Sequence, residues 1–390
     1  MLSGMKKQQL CARHYASRQN LRLRWRGDRI THCELGPDQP NAPWWIAPGL
    51  LDAQVNGFGA VDFQAETIDA AALLKATRAL RAAGCTRYLL TLITDRWDLL
   101  TAKLRRLREL RAQSAELQAA IAGWHLEGPF LSAEPGYAGA HDPALMLGPT
   151  PDHIHQLRAL TAGDLLLLTL APERPGALAA IRLAVSLGAR VSLGHTNASA
   201  QLLREAIAAG ATAFTHLGNA CPQTLDRHDN LLWRVFETPG LMTSLIPDGI
   251  HVSPALFRLV HRVLPLDSIF YITDAMAAAG APPNRYALGR LQVDVGPDQV
   301  VRAPGQTHYA GSALRPIDGV FRAAEMLGVS WQETWRRFSF APAEWLGLPC
   351  SLAPGQRADF CLLKVSAQGH LTDLRVFFGG QEIPRLADAP

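Results

Sequence analysis

Apolar and polar positions alternate along the middle of this chain in two rhythms. Short apolar runs rich in Leu, Ile and Val are followed by longer segments with helical spacing, and several of those stop at a glycine. The pattern predicts strands over 45–54, 87–94, 123–127, 165–170, 190–193, 211–215, 241–246 and 268–273. Helices are predicted over 69–83, 97–120, 176–187 and 199–209, with Gly84, Gly188 and Gly210 as stops. Strand and helix in this repeated order predict an α/β fold, a (β/α)8 TIM-like barrel rather than an open sheet. Residues 284–312 interrupt the rhythm with hairpin-like alternation at Leu291-Gln292-Val293-Asp294-Val295 before the final helices.

The two ends follow a period of two instead. Leu21-Arg22-Leu23-Arg24-Trp25 alternates and is followed by Gly27-Asp28, a hairpin signal. Segments 358–365 and 374–378 are also strand-like, with Gly379-Gly380 as a turn. Strands at both termini predict a small β-sandwich domain assembled from the chain ends. The expected division is 1–46 and 349–390 for that domain and 47–348 for the barrel.

Composition changes this picture little. Hydrophobic residues make up 48% and charged residues 18% of 390, and the formal charge is +4, which argues for neither nucleic acid nor membrane as partner. No apolar run reaches the roughly 18–20 residues of a spanning helix. Met1 to Lys7 is basic but lacks an apolar stretch after it, so a secretory signal is not expected. Six scattered cysteines without a CxxC pair read as reduced thiols, consistent with a cytoplasmic enzyme.

The chemistry lies where the predicted strands run out. Glu127, His195 and His216 each end one of them, and a carboxylate with two imidazoles is the donor set of a catalytic metal site with one position left for water. Taken singly, each histidine reads equally well as structural. Asp274 follows the apolar run Ile269-Phe270-Tyr271-Ile272, where a carboxylate would stand at the barrel mouth as a proton carrier; the alternative is an N-cap for a helix over 275–279. Asn219, Arg227, His228 and His251 cluster after strands six and seven, and Arg with His suits a phosphate, although a lone Arg is more often a solvated loop charge.

The ordered set resembles the N-acetylglucosamine-6-phosphate deacetylase family of the amidohydrolase superfamily. The resemblance rests on Ala47-Pro48-Gly49-Leu50, Gln54-Val55-Asn56-Gly57, the Glu127 segment, Leu170-Ala171-Pro172-Glu173, Gly194-His195-Thr196, His216-Leu217-Gly218-Asn219, Asp248-Gly249-Ile250-His251 and Thr273-Asp274-Ala275-Met276. It implies a divalent metal on Glu127, His195 and His216, with Asp274 as the catalytic aspartate. It implies further that His141, Asn219, Ala220, Arg227 and His251 hold the sugar phosphate, and that Tyr309, Ala310 and Gly311 line the same pocket. Members are usually homodimers of the cytoplasm.

Some positions depart from the wider pattern. Gln54 and Asn56 stand where many amidohydrolases carry His-x-His, and amides are poor ligands, so one metal is expected: zinc, with iron, manganese or cobalt suited to the same donors. Gly218, Cys221, Thr196-Asn197 and the 225–229 loop also differ. The expected reaction is metal-assisted hydrolysis of the acetamide of N-acetylglucosamine 6-phosphate. The alternatives are the galactosamine epimer or another acetamido sugar and, in a different class, a barrel that binds a sugar phosphate without turnover.

Overall fold

A computed structural model of the chain describes residues 7–37, 43–161, 163–303 and 309–384. The start, 1–6, to which most of the signal-peptide expectation refers, lies outside the described residues.

Eight strands pair in parallel and in chain order: Leu50–Val55, Cys85–Ile93, Ile121–Glu127, Leu165–Leu170, Arg190–Leu193, Ala213–Phe214, Met242–Leu245 and Ile269–Tyr271. A parallel bridge between Val55 and Ala275 joins the first strand to the segment after the last, so the sheet comes round on itself as a barrel. Strand one is buried at every position, as expected of a parallel strand covered on both faces. The helices carry the caps their sequences offer. Asp69 accepts from the Ala72 amide at 2.7 Å and Ser199 from that of Leu202 at 3.2 Å.

Two predicted elements are divided. The run 45–54 splits at Gly49: Trp45–Pro48 joins the terminal sheet, and Leu50–Val55 opens the barrel. A Cβ at Gly49 would stand 2.1 Å from Thr86 Oγ1, so only glycine lets the chain pass between the two sheets there. The helix over 97–120 becomes Trp97–Ala112 and Ala115–Ala120, because Ser114 caps a new helix by accepting from the Leu117 amide at 3.3 Å.

The terminal strands form one seven-stranded sheet that draws on both ends, in the order Gln381–Glu382, Leu371–Phe378, Phe360–Val365, Trp45–Pro48, Lys7–His14, Asn20–Arg26 and Arg29–Leu35. Leu23, Trp25, Ile46, Phe360 and Phe377 fill its core, with Phe360 stacked on Phe377 at 4.5 Å. The strand Lys7–His14 was not legible, since few of its positions are apolar. The predicted hairpin is present as Asn284–Leu288 and Leu291–Val295, and its apolar face packs on Met276, Ala277 and Ala278 beside the barrel mouth. Among the described residues, no helix is long and apolar enough to cross a membrane.

Candidate active site

Strands three, five and six deliver Glu127, His195 and His216 to one point. Glu127 is the last residue of its strand; His195 and His216 each follow theirs by two. Glu127 Oε1 lies 2.7 Å from His216 Nε2 and 3.3 Å from His195 Nε2, all three side chains being buried. The turn after Glu127 needs Gly128, whose φ is +93° and whose Cβ would meet Thr94 Oγ1 at 2.2 Å. His195, His216 and Asp274 themselves have φ of +49°, +35° and +52°. Three non-glycine residues in this region each cost on the order of 1–3 kcal/mol, strain that collects at functional sites.

These residues fit a divalent cation. His195 Nδ1 faces the carbonyl of Tyr137 at 2.9 Å and must donate to it, which leaves the Nε2 lone pair directed at Glu127. Two electron-rich atoms facing one another in a buried site call for a cation or a proton between them. His141 also joins the group: Glu127, His141 and His195 place their ligand atoms within 4.8 Å of one another. Its tautomer argues against ligation. The Thr94 amide donates to His141 Nδ1 at 3.4 Å and the Thr94 hydroxyl lies 2.8 Å from the same nitrogen, which puts the ring hydrogen on Nε2, 3.8 Å from Glu127 Oε2 and beyond hydrogen-bond distance. His216 is the better third ligand on these grounds.

The electrostatics agree. Burial alone would raise the Glu127 carboxyl, but with protons in the place of a cation the bonds and charges of His195 and His216 outweigh it and hold the pKa well below the usual range. Burial lowers His216, while the bond and charge of Glu127 more than restore it. Burial, with His195 nearby, pushes His141 down to about 3, so that ring stays neutral.

Asp274 stands at the end of strand eight on the same cavity. The chain after it forms turns rather than a helix, so it caps nothing, contrary to the alternative reading. Gln54 Nε2 and Asn56 Nδ2 both donate to its Oδ1, at 3.0 and 2.6 Å. The two amides in the His-x-His positions therefore hold a carboxylate, which gives them a role other than metal binding. Burial and the charge of Glu127 push the Asp274 carboxyl up to about 7.

A cavity of about 230 Å³ is lined by Glu127, His141, His195, His216, Asp274, Asn219, Ala220, His251, Tyr309 and Gly311, together with Asn56, Gly218 and Cys221. Two expected residues do not line it. Ala310 is fully buried in the wall behind. Arg227 stands on an exposed loop with its Nε 3.0 Å from His228 Nε2. His251 is held by Asp248, whose Oδ2 lies 2.6 Å from its Nδ1, and it meets Tyr309 edge to face at 5.2 Å. Burial raises the Asp248 carboxyl, but the bond to His251 brings it below its ordinary value.

No family model matches the chain. It is 31% identical over 348 residues to the N-acetylglucosamine-6-phosphate deacetylase of Vibrio furnissii, covering 85% of this chain and 84% of the relative. The chain belongs to the N-acetylglucosamine-6-phosphate deacetylase family. The chain is also 33% identical over 321 residues to the N-acetylgalactosamine-6-phosphate deacetylase of Escherichia coli O157:H7, covering 82% of this chain and 83% of that one. The fold agrees with that of a mutant N-acetyl-D-glucosamine-6-phosphate deacetylase from Mycobacterium smegmatis, solved in complex with N-acetyl-D-glucosamine 6-phosphate. The TM-score is 0.82 at 32% identity, covering 93% of this chain and 94% of that one.

Several supporting groups escaped the sequence reading. His125 lies two residues before Glu127 and joins a buried belt: its Nε2 is 2.7 Å from Thr169 Oγ1, which is 2.9 Å from Thr215 Oγ1. Glu173 bonds the Thr196 hydroxyl and accepts from the Asn197 amide at 2.8 Å, fixing the turn that carries His195. Asp52 is fully buried beneath Asp274. Burial pushes its carboxyl up to about 7 against the hydrogen bonds from Thr273 and Gln54. The signal for His125 and Asp52 was available in the period of two, which puts each on the face of its strand that carries Glu127 or Gln54.

Proposed function

We propose that the chain hydrolyses the acetamide of N-acetylglucosamine 6-phosphate to glucosamine 6-phosphate and acetate. The observation that carries this reading is the buried Glu127–His195–His216 cluster on the same small cavity as Asp274. Those three residues hold one divalent cation, zinc in our reading, with iron, manganese or cobalt accepted by the same donors. Bound there, the cation supplies Lewis acidity toward water and the amide carbonyl. Asp274 carries the proton: Oδ2, which neither amide touches, receives it from the attacking water and passes it to the departing nitrogen. Gln54 and Asn56 fix the orientation of that carboxylate. His141, neutral with its hydrogen on Nε2, donates to the oxygen on which charge develops. His251, Tyr309, Asn219, Ala220 and Gly311 receive the sugar phosphate, with Ala310 supporting the wall and Arg227 reaching the phosphate from its loop.

The same reading includes a homodimer working in the cytoplasm, as the family resemblance implies. It keeps the division into 1–46, 47–348 and 349–390, although the strand Trp45–Pro48 straddles the first boundary. A second reading, turnover of N-acetylgalactosamine 6-phosphate, is favoured by the likeness to the relative of that name. Gly218, Cys221 and Tyr309 line the cavity where the epimers would be told apart.

The test is acetate release from both phosphorylated sugars and from unphosphorylated N-acetylglucosamine, before and after chelation and return of zinc. Metal-dependent release from the phosphorylated glucosamine is the expected result. Release from the galactosamine epimer alone would move the substrate, and release from none would overturn the reading.

A further inference from the structure

One buried carboxylate beneath the cavity has no part in the chemistry above. We propose that Asp52 is a positioning residue, which holds the left-handed turn carrying Asp274 through the hydroxyl and amide of Thr273. The inference rests on the reading of Asp274 as the proton carrier.

Asp52 belongs to strand one and is wholly shielded from solvent. Its carboxylate is surrounded by donors. Thr273 Oγ1 donates to Oδ2 at 2.5 Å, the Thr273 amide lies 3.2 Å from both oxygens, and the Gln54 amide donates to Oδ1 at 3.1 Å. The Thr273 hydroxyl, its hydrogen committed to Asp52, offers a lone pair to the Ala275 amide at 3.1 Å. The chain of bonds runs Asp52 to Thr273 to Ala275 and so spans Asp274 on both sides. This is the restraint that a residue at φ +52° needs, since its own backbone preference opposes the conformation. The carbonyls of the same segment are held as well: Ser312 Oγ donates to that of Thr273 at 2.6 Å and the Asn56 amide to that of Ala275 at 2.7 Å.

Register explains why strand one does this work. Asp52 and Gln54 share one face of strand one and Asn56 follows at the same spacing just past its end, so this edge meets the Asp274 segment three times. Asp52 holds the backbone, and the two amides hold the carboxylate. An acceptor is required at position 52 because all the groups facing it are donors. Asparagine keeps the shape but offers one acceptor oxygen in place of two, and turns N–H groups toward other donors. The short O–H···O bond from Thr273 and the amide donors beside it meet both oxygens of the Asp52 carboxyl, which suits a restraint on a strained turn.

The experiment uses metal-loaded enzyme and the variants Asp52→Asn, Thr273→Val and Thr273→Ser. We expect Asp52→Asn and Thr273→Val each to lower kcat on N-acetylglucosamine 6-phosphate by about 10–100-fold, with KM within about twofold and metal content unchanged. Thr273→Ser keeps the hydroxyl and should retain at least about half of the parent kcat. The double variant Asp52→Asn/Thr273→Val should be no slower than its slower parent, because both changes cut the same bond. Hydrogen exchange at the 273–275 amides gives a readout independent of turnover, and should accelerate about tenfold in Asp52→Asn. An unaltered kcat with unaltered exchange overturns the proposal. So does Thr273→Ser falling as far as Thr273→Val, or joint loss of metal, melting temperature and rate, which is a merely structural role. If Asp52→Asn does not fold, the Thr273 pair decides by the same criteria. Failure of the parent enzyme on this sugar phosphate would count against the substrate reading, while amide exchange would still decide the role of Asp52.

Discussion

The two halves of the cavity are built differently. Glu127, His195, His216 and Asp274 stand at strand ends or within three residues of them, and the last three are held by neighbouring groups. The His195 ring is pinned by the Tyr137 carbonyl, the His216 amide donates to Ser244 Oγ at 2.7 Å, and Asp274 is held by two amides. The opposite half, which receives the phosphate in our reading, hangs on loops. Tyr309 is 42% exposed, and Arg227 sits outside the cavity lining against His228. In our reading the contrast teaches where precision is placed in a barrel enzyme: the groups proposed to make and break bonds stand at strand ends, and those proposed for recognition stand on loops.

The comparison breaks most severely if a metal-facing residue can be changed cheaply. Glu127→Gln should abolish metal retention and lower acetate release by about a thousandfold or more, since the shared carboxylate is lost; elemental analysis beside the rate assay checks both. Asp274→Asn should cost about 10²–10⁴-fold in kcat with metal content near normal, and lost metal would make Asp274 a ligand instead. The pH profile sharpens the same half. Without a cation, burial and Glu127 place the Asp274 carboxyl at about 7. A proton carrier, the role we propose for Asp274, must be ionised to act, so kcat/KM should rise with pH through this group. A cation beside it favours the ionised form, so the rising limb of the loaded enzyme should lie below pH 7 and disappear in Asp274→Asn.

The loop half should respond more mildly and in KM. His251→Asn should raise KM for the phosphorylated sugar by about tenfold, with kcat changed less, because one charge-assisted contact is lost. Arg227→Ala should have the smallest effect, a rise in KM of about two- to fivefold that shrinks at high salt, as befits an exposed charge. An unaltered KM at low salt would remove the 225–229 loop from phosphate recognition.

The barrel was legible because parallel strands buried on both faces leave largely apolar runs, as in Leu165–Leu170, where Thr169 is the one polar residue. Glu127, His195, His216 and Asp274 were legible because each interrupts such a run with a group that burial would penalise unless it had partners. The Gly49 crossing was not. An apolar run is continuous there, and only the close approach of Thr86 reveals that the chain changes sheets. His125 and Asp52 were passed over for a related reason. A polar residue inside a strand announces a partner without saying which one, and Thr169 and Thr273 are 44 and 221 residues away.

By itself, then, the chain's pattern of apolar and polar residues determined the order of strands and helices, the barrel and the donor types at its mouth. Those depend on local periodicity and on the cost of burying polar atoms. Only the tertiary structure decided which imidazole nitrogen faces Glu127, that the two amides at Gln54 and Asn56 hold Asp274, and that Arg227 stands apart from the cavity. Such facts depend on distances between residues far apart in sequence, and on which hydrogen bond each ring or carboxylate has already made.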